Sequence, residues 1–199
     1  MEKEQDMRSF RIIGLLLGII ILAGCTRVKS TVTYFYEPPA LDPGTSVIVR
    51  PLDSQKSDLE FSHYKKLVSN SLEEAGFNVR STGKAEYDVF LQYAVDQQGN
   101  TEEYVVPQTH TYTNPYGVST TYTTYSTGTR QVHQREVELR FFKSGNLDGT
   151  NEPVVHVRLL SSGSNNEMAY LMPTFVYQLL KEWPGTPGKT YTITSAVKK

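Results

Sequence analysis

Two stretches of strict alternation, separated by an almost uncharged run of tyrosine and threonine, constrain this chain more than any other feature. In Glu86–Asp96 the residues Tyr87, Val89, Leu91, Tyr93 and Val95 alternate with mostly polar neighbours. In Val132–Phe142 the residues Val137, Leu139 and Phe141 alternate with Glu136, Glu138 and Arg140. A period of two places one set of side chains on a core and the other on an open face, which is the mark of a half-buried strand. Between them, Thr101–Arg130 carries Tyr104, Tyr112, Tyr116, Tyr122 and Tyr125 among threonines, and its charged residues are Glu102, Glu103 and Arg130. Tyr and Thr suit a pleated surface. Asn114-Pro115-Tyr116-Gly117 has the residue types of a type I turn, with Asn first, Pro second and Gly last. The segment therefore reads as a long β-hairpin over residues 99–130, with its tip at that turn.

Parity tests the reading. A two-residue loop would pair Asn114 with Gly117, and the ladder would then set Leu91 opposite Arg140 and Tyr93 opposite Glu138. One residue of slip turns a whole strand over, so an odd number of extra residues must intervene. Gly128 is the expected bulge and Pro107 the other candidate interruption.

The remaining pattern is α+β. Ser30–Tyr36, Ser46–Arg50, Phe77–Ser81, Pro153–Ser161 and Thr190–Thr194 read as further strands, and Gly145–Gly149 as a turn. Phe61, Tyr64, Val68, Leu72 and Ala75 recur at helical spacing, Ser57 and Glu60 have capping-box spacing, and Gly76 supplies the stop. Ser164 and Glu167 repeat the capping-box spacing, but Pro173 inside that segment moves the second helix to Pro173–Glu182, with Phe175, Val176, Leu179 and Leu180 on its buried side. The expected fold is an antiparallel or mixed sheet of six to seven strands with two helices packed on one face and a long Tyr/Thr-rich β-hairpin.

The N-terminus carries a different message. Arg8 and Arg11 precede an apolar run from Ile12 to Gly24 that ends Leu22-Ala23-Gly24-Cys25. A basic segment, a short apolar run and small residues form a secretory signal, and the run is too short for a span of about 20 residues. Leu22-Ala23-Gly24-Cys25 resembles the bacterial lipobox. That resemblance implies diacylglycerol on the Cys25 sulfur, cleavage after Gly24 and acylation, as with palmitate, of the new amino terminus. Several acyl chains anchor stably where one is marginal. Thr26, where Asp would favour inner-membrane retention in the Gram-negative lipoproteins this resembles, implies the cell outer membrane. Glu2, Glu4 and Asp6 are unusual before a basic segment, and Met7 is an alternative start. The expected organisation is a signal peptide over residues 1–24, a lipidated tether over 25–29, one domain over 30–194 and a C-terminal tail over 195–199.

Composition narrows the function. Cys25 is the one cysteine, so internal disulfides are excluded and packing must stabilise the domain. The net charge of −1 offers no basic excess for nucleic acid. His63, His110, His133 and His156 are far apart in sequence without ligand spacing, so no metal is expected. No nucleophile motif or phosphate-binding loop is present; Gly188-Lys189-Thr190 lacks the first P-loop glycine and follows a helix rather than a strand. An enzyme is not expected, nor any cofactor beyond the covalent lipid.

The lipobox, the strand–helix–strand middle and the helix closing in Trp183-Pro184-Gly185 with Gly188-Lys189-Thr190 together resemble an uncharacterised family of Gram-negative envelope lipoproteins that carry a domain of unknown function. The likeness covers Ser30–Thr194; Trp183 stands where that family has Phe, and the hairpin is an elaboration. The resemblance implies an α+β sandwich facing the periplasm and no activity. The expected function is a non-enzymatic factor in envelope assembly, maintenance or protein interaction. It meets the membrane through its lipid and an envelope protein through Tyr104, Tyr112, Tyr116, Tyr122 and Tyr125. The alternative is a glycan- or peptidoglycan-binding module that stacks sugars on those rings.

Overall fold

The computed structural model describes residues 27–145 and 152–198. The signal segment, the cleavage residues Leu22, Ala23 and Gly24, Cys25 and most of the turn expected at Gly145–Gly149 lie outside them. Among the described residues the fold is α+β, with eight strands in one mixed sheet and two helices. In chain order the elements are β1 (Arg27–Tyr36), β2 (Ser46–Arg50), a short 3-10 turn (Asp53–Gln55), α1 (Leu59–Glu74), β3 (Asn78–Val79), β4 (Tyr87–Val95), β5 (Asn100–Thr113), β6 (Ser119–Lys143), β7 (Val155–Gly163), α2 (Met168–Leu180) and β8 (Thr190–Ala196). The sheet runs β3-β2-β4-β6-β7-β1-β8, and β5 pairs with the outer half of β6. Strand β2 is parallel to β3 and β4, the first through the α1 crossover; the other pairings are antiparallel.

The alternation in β4 and β6 does what a half-buried strand requires. Leu91 pairs with Leu139, Tyr93 with Val137 and Val89 with Phe141. These join Val155, Val157 and Leu159 of β7 and Val32 and Tyr34 of β1 in one buried layer. Both helices cover that layer, Phe61, Tyr64, Val68 and Leu72 from α1 and Leu171, Met172, Phe175, Val176 and Leu179 from α2.

Several boundaries differ from the sequence reading. The first strand begins at Arg27, so residues 27–29 are not tether: they pair with β8 through Arg27–Ala196 and Lys29–Thr194. The cap of α1 is Asp58, not Ser57. The Asp58 carboxylate accepts the Glu60 amide at 2.8 Å, and the Glu60 carboxylate is engaged by the Tyr64 hydroxyl at 2.5 Å instead of reaching back to close a box. Only Asn78–Val79 of Phe77–Ser81 is strand. Helix α2 starts at Met168 and runs through Pro173, ending at Leu180 rather than Glu182. At the sixth helical position Pro173 forfeits one intrahelical bond, toward Ala169, while Met168, Leu171 and Met172 before it are all buried. Packing of that first turn outweighs one missing bond. Residues 195–198 are part of the domain rather than a tail: Ser195 and Ala196 belong to β8, the Lys198 amide donates to the Thr174 hydroxyl at 2.8 Å, and its ammonium lies 3.6 Å from the Tyr177 ring centre.

The Trp183–Thr190 segment closes the core. Trp183 packs against Phe77, Phe141 and Tyr34 at centroid distances of 5.4, 5.9 and 6.0 Å. Gly185 sits at φ +62°, where an added Cβ would lie 2.5 Å from the Tyr34 ring. The Gly188 amide donates to the Tyr34 carbonyl at 2.8 Å. Gly185 lets the chain cross over Tyr34 at close range and Gly188 supplies a left-handed backbone in open space, both structural roles.

Candidate contact surfaces

Beyond the body of the sheet, β5 and the outer half of β6 form a two-stranded ribbon. At about 3.4 Å per residue the 14 residues of β5 give it a length of roughly 45 Å. Its pairing is unbroken from Asn100–Val132 to Thr113–Ser119. The tip is not a two-residue loop. Gly117 donates to the Asn114 carbonyl at 3.0 Å, Asn114 donates to the Val118 carbonyl at 2.9 Å, and Gly117 has φ +79°. That is a type I turn followed by a left-handed glycine, the usual three-residue hairpin loop. The Asn114 side-chain carbonyl also accepts the Tyr116 and Val118 amides at 3.0 and 2.9 Å. The extra residue demanded by parity is therefore in the loop, Pro115-Tyr116-Gly117. A second adjustment lies at the ribbon's root, where residues 97–99 of one strand stand against His133 of the other.

Gly128 and Pro107 interrupt nothing. Gly128 pairs with Tyr104, whose ring lies over it so closely that an added Cβ would come within 2.8 Å. Pro107 pairs with Tyr125. Backbone groups of even-numbered β5 residues face β6, as the Asn114 bond fixes, so the missing N–H of Pro107 is on the outer side, where a strand tolerates it.

The register sorts the tyrosines. Tyr104, Tyr112 and Tyr122 share one face with His110, which stacks on Tyr122 at 5.3 Å and reaches the Thr124 hydroxyl at 3.0 Å. Glu102 and Arg130 pair at 3.1 Å at the root of that face. Tyr125 is on the opposite face with Val105, Pro107 and a double row of threonines, in which Thr111–Thr121 and Thr113–Ser119 share hydroxyl hydrogen bonds at 3.2 and 2.8 Å. Tyr116 is at the tip and is 92% exposed. The five candidate tyrosines thus divide into a group of three, one on the reverse side and one at the end. All five are exposed, and between Tyr104 and Thr129 the ribbon carries no Asp, Glu, Lys or Arg.

Sequence reasoning missed a second surface, the sheet face away from the helices. Its centre is Glu138, only 8% exposed, flanked by Arg140 at 2.6 Å, His156 at 3.1 Å and Arg158 at 3.6 Å; Arg158 also meets Glu136 at 2.5 Å. Burial alone would raise the Glu138 carboxyl; its interactions with His156 and with the Arg140 guanidinium outweigh that and hold the group below the ordinary glutamate range. The Phe35 ring lies tilted beside His156 at 5.6 Å and remains 46% exposed, and Leu160 is 41% exposed. The alternation of Glu136, Glu138 and Arg140 was the signal for this face, but their cross-strand partners on β7 could not be read without the register.

The histidines do not converge. His63 is exposed on α1, His110 is on the ribbon, His133 is buried with Nδ1 at 2.7 Å from the Asp96 carbonyl, and His156 belongs to the Glu138 cluster. Among the described residues no three of His, Cys, Asp and Glu are grouped to hold a metal ion, and no helix is long and apolar enough to cross a membrane. A shallow cleft between α1, β4 and the start of α2 is lined by Glu60, Tyr93, Ala94 and Met168. Within it, burial pushes the Tyr93 hydroxyl up to about 12, with Glu60 and Asp58 adding to the rise.

No protein-family model matches the sequence, and no curated protein matches it. Among solved structures, a PDZ domain protein from Parabacteroides distasonis is similar at a TM-score of 0.49 and 10% identity, over 86% of this chain and 40% of that one. This chain therefore spans less than half the length of that neighbour. Two PelC dodecamer structures from Paraburkholderia phytofirmans align at a TM-score of 0.39 and 13–14% identity, over 76% of this chain and 96% of theirs.

Proposed function

We propose that the chain is a non-enzymatic lipoprotein of the outer membrane, held by lipid on Cys25 and facing the periplasm, whose Tyr/Thr ribbon meets an envelope protein in assembly or maintenance of the cell envelope. It is a member, on this reading, of the envelope lipoprotein family that its lipobox and its Trp183–Thr190 closure resemble. The ribbon carries the proposal. It projects roughly 45 Å of two-stranded sheet beyond the core, it is uncharged between Tyr104 and Thr129, and its rings are exposed. Tyr supplies large rigid contact area at low entropic cost, which suits recognition rather than core packing. The first strand begins at Arg27, so a lipid on Cys25 would hold the sheet close to the bilayer surface.

One arrangement favours the glycan reading as the alternative. Tyr104, Tyr112 and Tyr122 share a face with His110, and the Glu102–Arg130 pair at its root offers polar partners for a sugar. Two experiments test these readings. Changing Cys25→Ala is expected to leave an uncleaved precursor without the thioether lipid; a variant that still matures at position 25 and fractionates with membranes refutes the anchor. Sedimentation with purified wall sacculi separates the partners. A protein-binding ribbon leaves the chain in the supernatant, whereas sedimentation that is lost in a Tyr112→Ala, Tyr122→Ala double variant establishes the glycan alternative.

A further inference from the structure

The hydrogen bonds of β6 fix which way each residue turns its backbone. The Val118 carbonyl accepts from Asn114 and the Gln134 carbonyl from Asp96, both at 2.9 Å, so even-numbered residues face β5 and β4. The Phe141 carbonyl accepts from Val154 at 2.8 Å, so odd-numbered residues face β7. Strand β7 stops at Gly163, opposite His133. From Gln131 out to Ser119 the odd residues direct their N–H and C=O groups toward no strand among the described residues. Half of β6, the longest of the described strands, is thus an open edge.

The ribbon's two edges are unequal. Pro107 stands on the outer side of β5 and removes a donor there, the usual protection of an edge strand. The β6 edge has no proline, lysine or inward charge. Its outward-turned row is Ser119, Thr121, Thr123, Tyr125, Thr127, Thr129 and Gln131, with a polar residue at each end and Thr-Thr on either side of the central tyrosine. From Thr121 to Thr129 the row reads alike in both directions about Tyr125.

We infer that this edge pairs with the same edge of a second copy of the chain. The pairing is antiparallel about a two-fold axis at Tyr125 and forms a four-stranded sheet in the order β5, β6, partner β6, partner β5. A two-fold interface requires a self-complementary patch, and a row symmetric about its midpoint supplies one. Thr123 then faces the partner's Thr127 and Thr121 the partner's Thr129, and such threonine pairs are favourable across strands. Arg130, the charged residue of the stretch, faces the partner's Thr120, so no like charges meet. A two-stranded ribbon is marginal alone, and added strands on a neutral edge remedy that. The inference rests on the ribbon being a contact element, but it uses the edge and leaves the Tyr104–Tyr112–Tyr122 face free.

The test uses the full-length chain in detergent micelles, with the protein mass measured by light scattering. The wild type is expected at twice the monomer mass. Thr123→Pro removes an outward N–H as Pro107 does, keeps the β5–β6 ladder, and is expected at the monomer mass with an unchanged circular dichroism spectrum. If that variant unfolds, Thr127→Lys provides the same reading. Register is tested by oxidative crosslinking. Thr123→Cys chains mixed with Thr127→Cys chains are expected to form an interchain disulfide, because directly opposed residues lie within the 4.4–6.8 Å Cα range that a disulfide needs. Each variant alone is expected to give no more than a chain carrying only Cys25. A monomeric wild type, a folded edge variant that stays dimeric, or single variants that crosslink as readily as the mixture would overturn the inference. In Thr123→Pro cells, crosslinks from Tyr122 to another envelope protein are expected to persist, so the pairing and the proposed function fail separately.

Discussion

Gly185→Ala and Gly188→Ala make a matched pair whose difference can be worked from the structure. Both glycines have positive φ, +62° and +74°, so both substitutions incur the left-handed penalty, roughly 1–2 kcal/mol for a residue with a Cβ. At Gly188 nothing lies within 4 Å of the new methyl, and the cost ends there. At Gly185 the methyl would lie 2.5 and 2.7 Å from two carbons of the Tyr34 ring. That ring cannot swing aside: it is fully buried, its hydroxyl donates to the Leu179 carbonyl at 3.0 Å, and Trp183 and Tyr191 pack on it at 6.0 and 5.9 Å. Overpacking of this kind costs about 1–3 kcal/mol more. Gly185→Ala is therefore expected to lose about 2–5 kcal/mol in all, and Gly188→Ala about 1–2. The assay is urea unfolding followed by the fluorescence of Trp183, the single tryptophan of the chain, which reports from the same cluster. Equal losses in the two variants would show that Tyr34 yields, and that the closing motif is not seated as described.

The ribbon is expected to be separable from the body. Replacing Glu103–Thr129 by Asn-Gly joins Glu102 to Arg130, a hydrogen-bonded pair suited to a two-residue turn, and removes side chains that are exposed or only half-buried. Unfolding of that variant, measured against the monomeric Thr123→Pro chain, is expected within about 1 kcal/mol, while Leu139→Ala in the body loses about 2–5 kcal/mol; a deletion that costs as much as Leu139→Ala would place the ribbon in the core. Glu138, whose carboxyl is held below its ordinary range, contributes stability that is complete above the unfolded value and lost as pH falls through the lowered one. The gap in stability between wild type and Glu138→Gln is thus expected to be present above the ordinary glutamate pKa of about 4.3 and to close as pH falls below it, and a gap that stays constant through that range removes the cluster's electrostatic role. Asp58→Ala, which strips the cap from α1, is expected to cost about 0.5–2 kcal/mol in the same urea assay, more than Ser57→Ala.

The sequence was most legible where one local pattern coincided with one buried layer. Ser46–Arg50 was read to its exact ends because Pro51 stops a short apolar run, and Phe61, Tyr64, Val68 and Leu72 lie on the core as their spacing demands. The parity of β4 against β6 correctly required an odd adjustment. It could not say where, because a two-residue and a three-residue loop fit Asn114-Pro115-Tyr116-Gly117 equally until Val118 is known to pair back to Asn114. The start of α2 was hidden by a sound local rule: proline is unfavourable at the sixth helical position, and only tertiary burial of Met168, Leu171 and Met172 reverses the balance. Asp58 is obscured by Ser57-x-x-Glu60, which has the spacing of a capping box, although Tyr64, one turn later, takes up the Glu60 carboxylate. The tyrosines of the ribbon were visible as a composition, but their division between two faces and a tip depends on a register that composition does not encode.

The central claim is that the ribbon is a surface for contact, and photocrosslinking in living cells tests it most directly. A benzophenone amino acid would be placed singly at Tyr112, Tyr122 and Tyr125 on the ribbon and at Glu73 on the solvent side of α1. A discrete adduct with another envelope protein is expected from Tyr112 and Tyr122, at most an adduct with a second copy of the chain from Tyr125, and none from Glu73. Adducts from Glu73 with none from any ribbon position would contradict it.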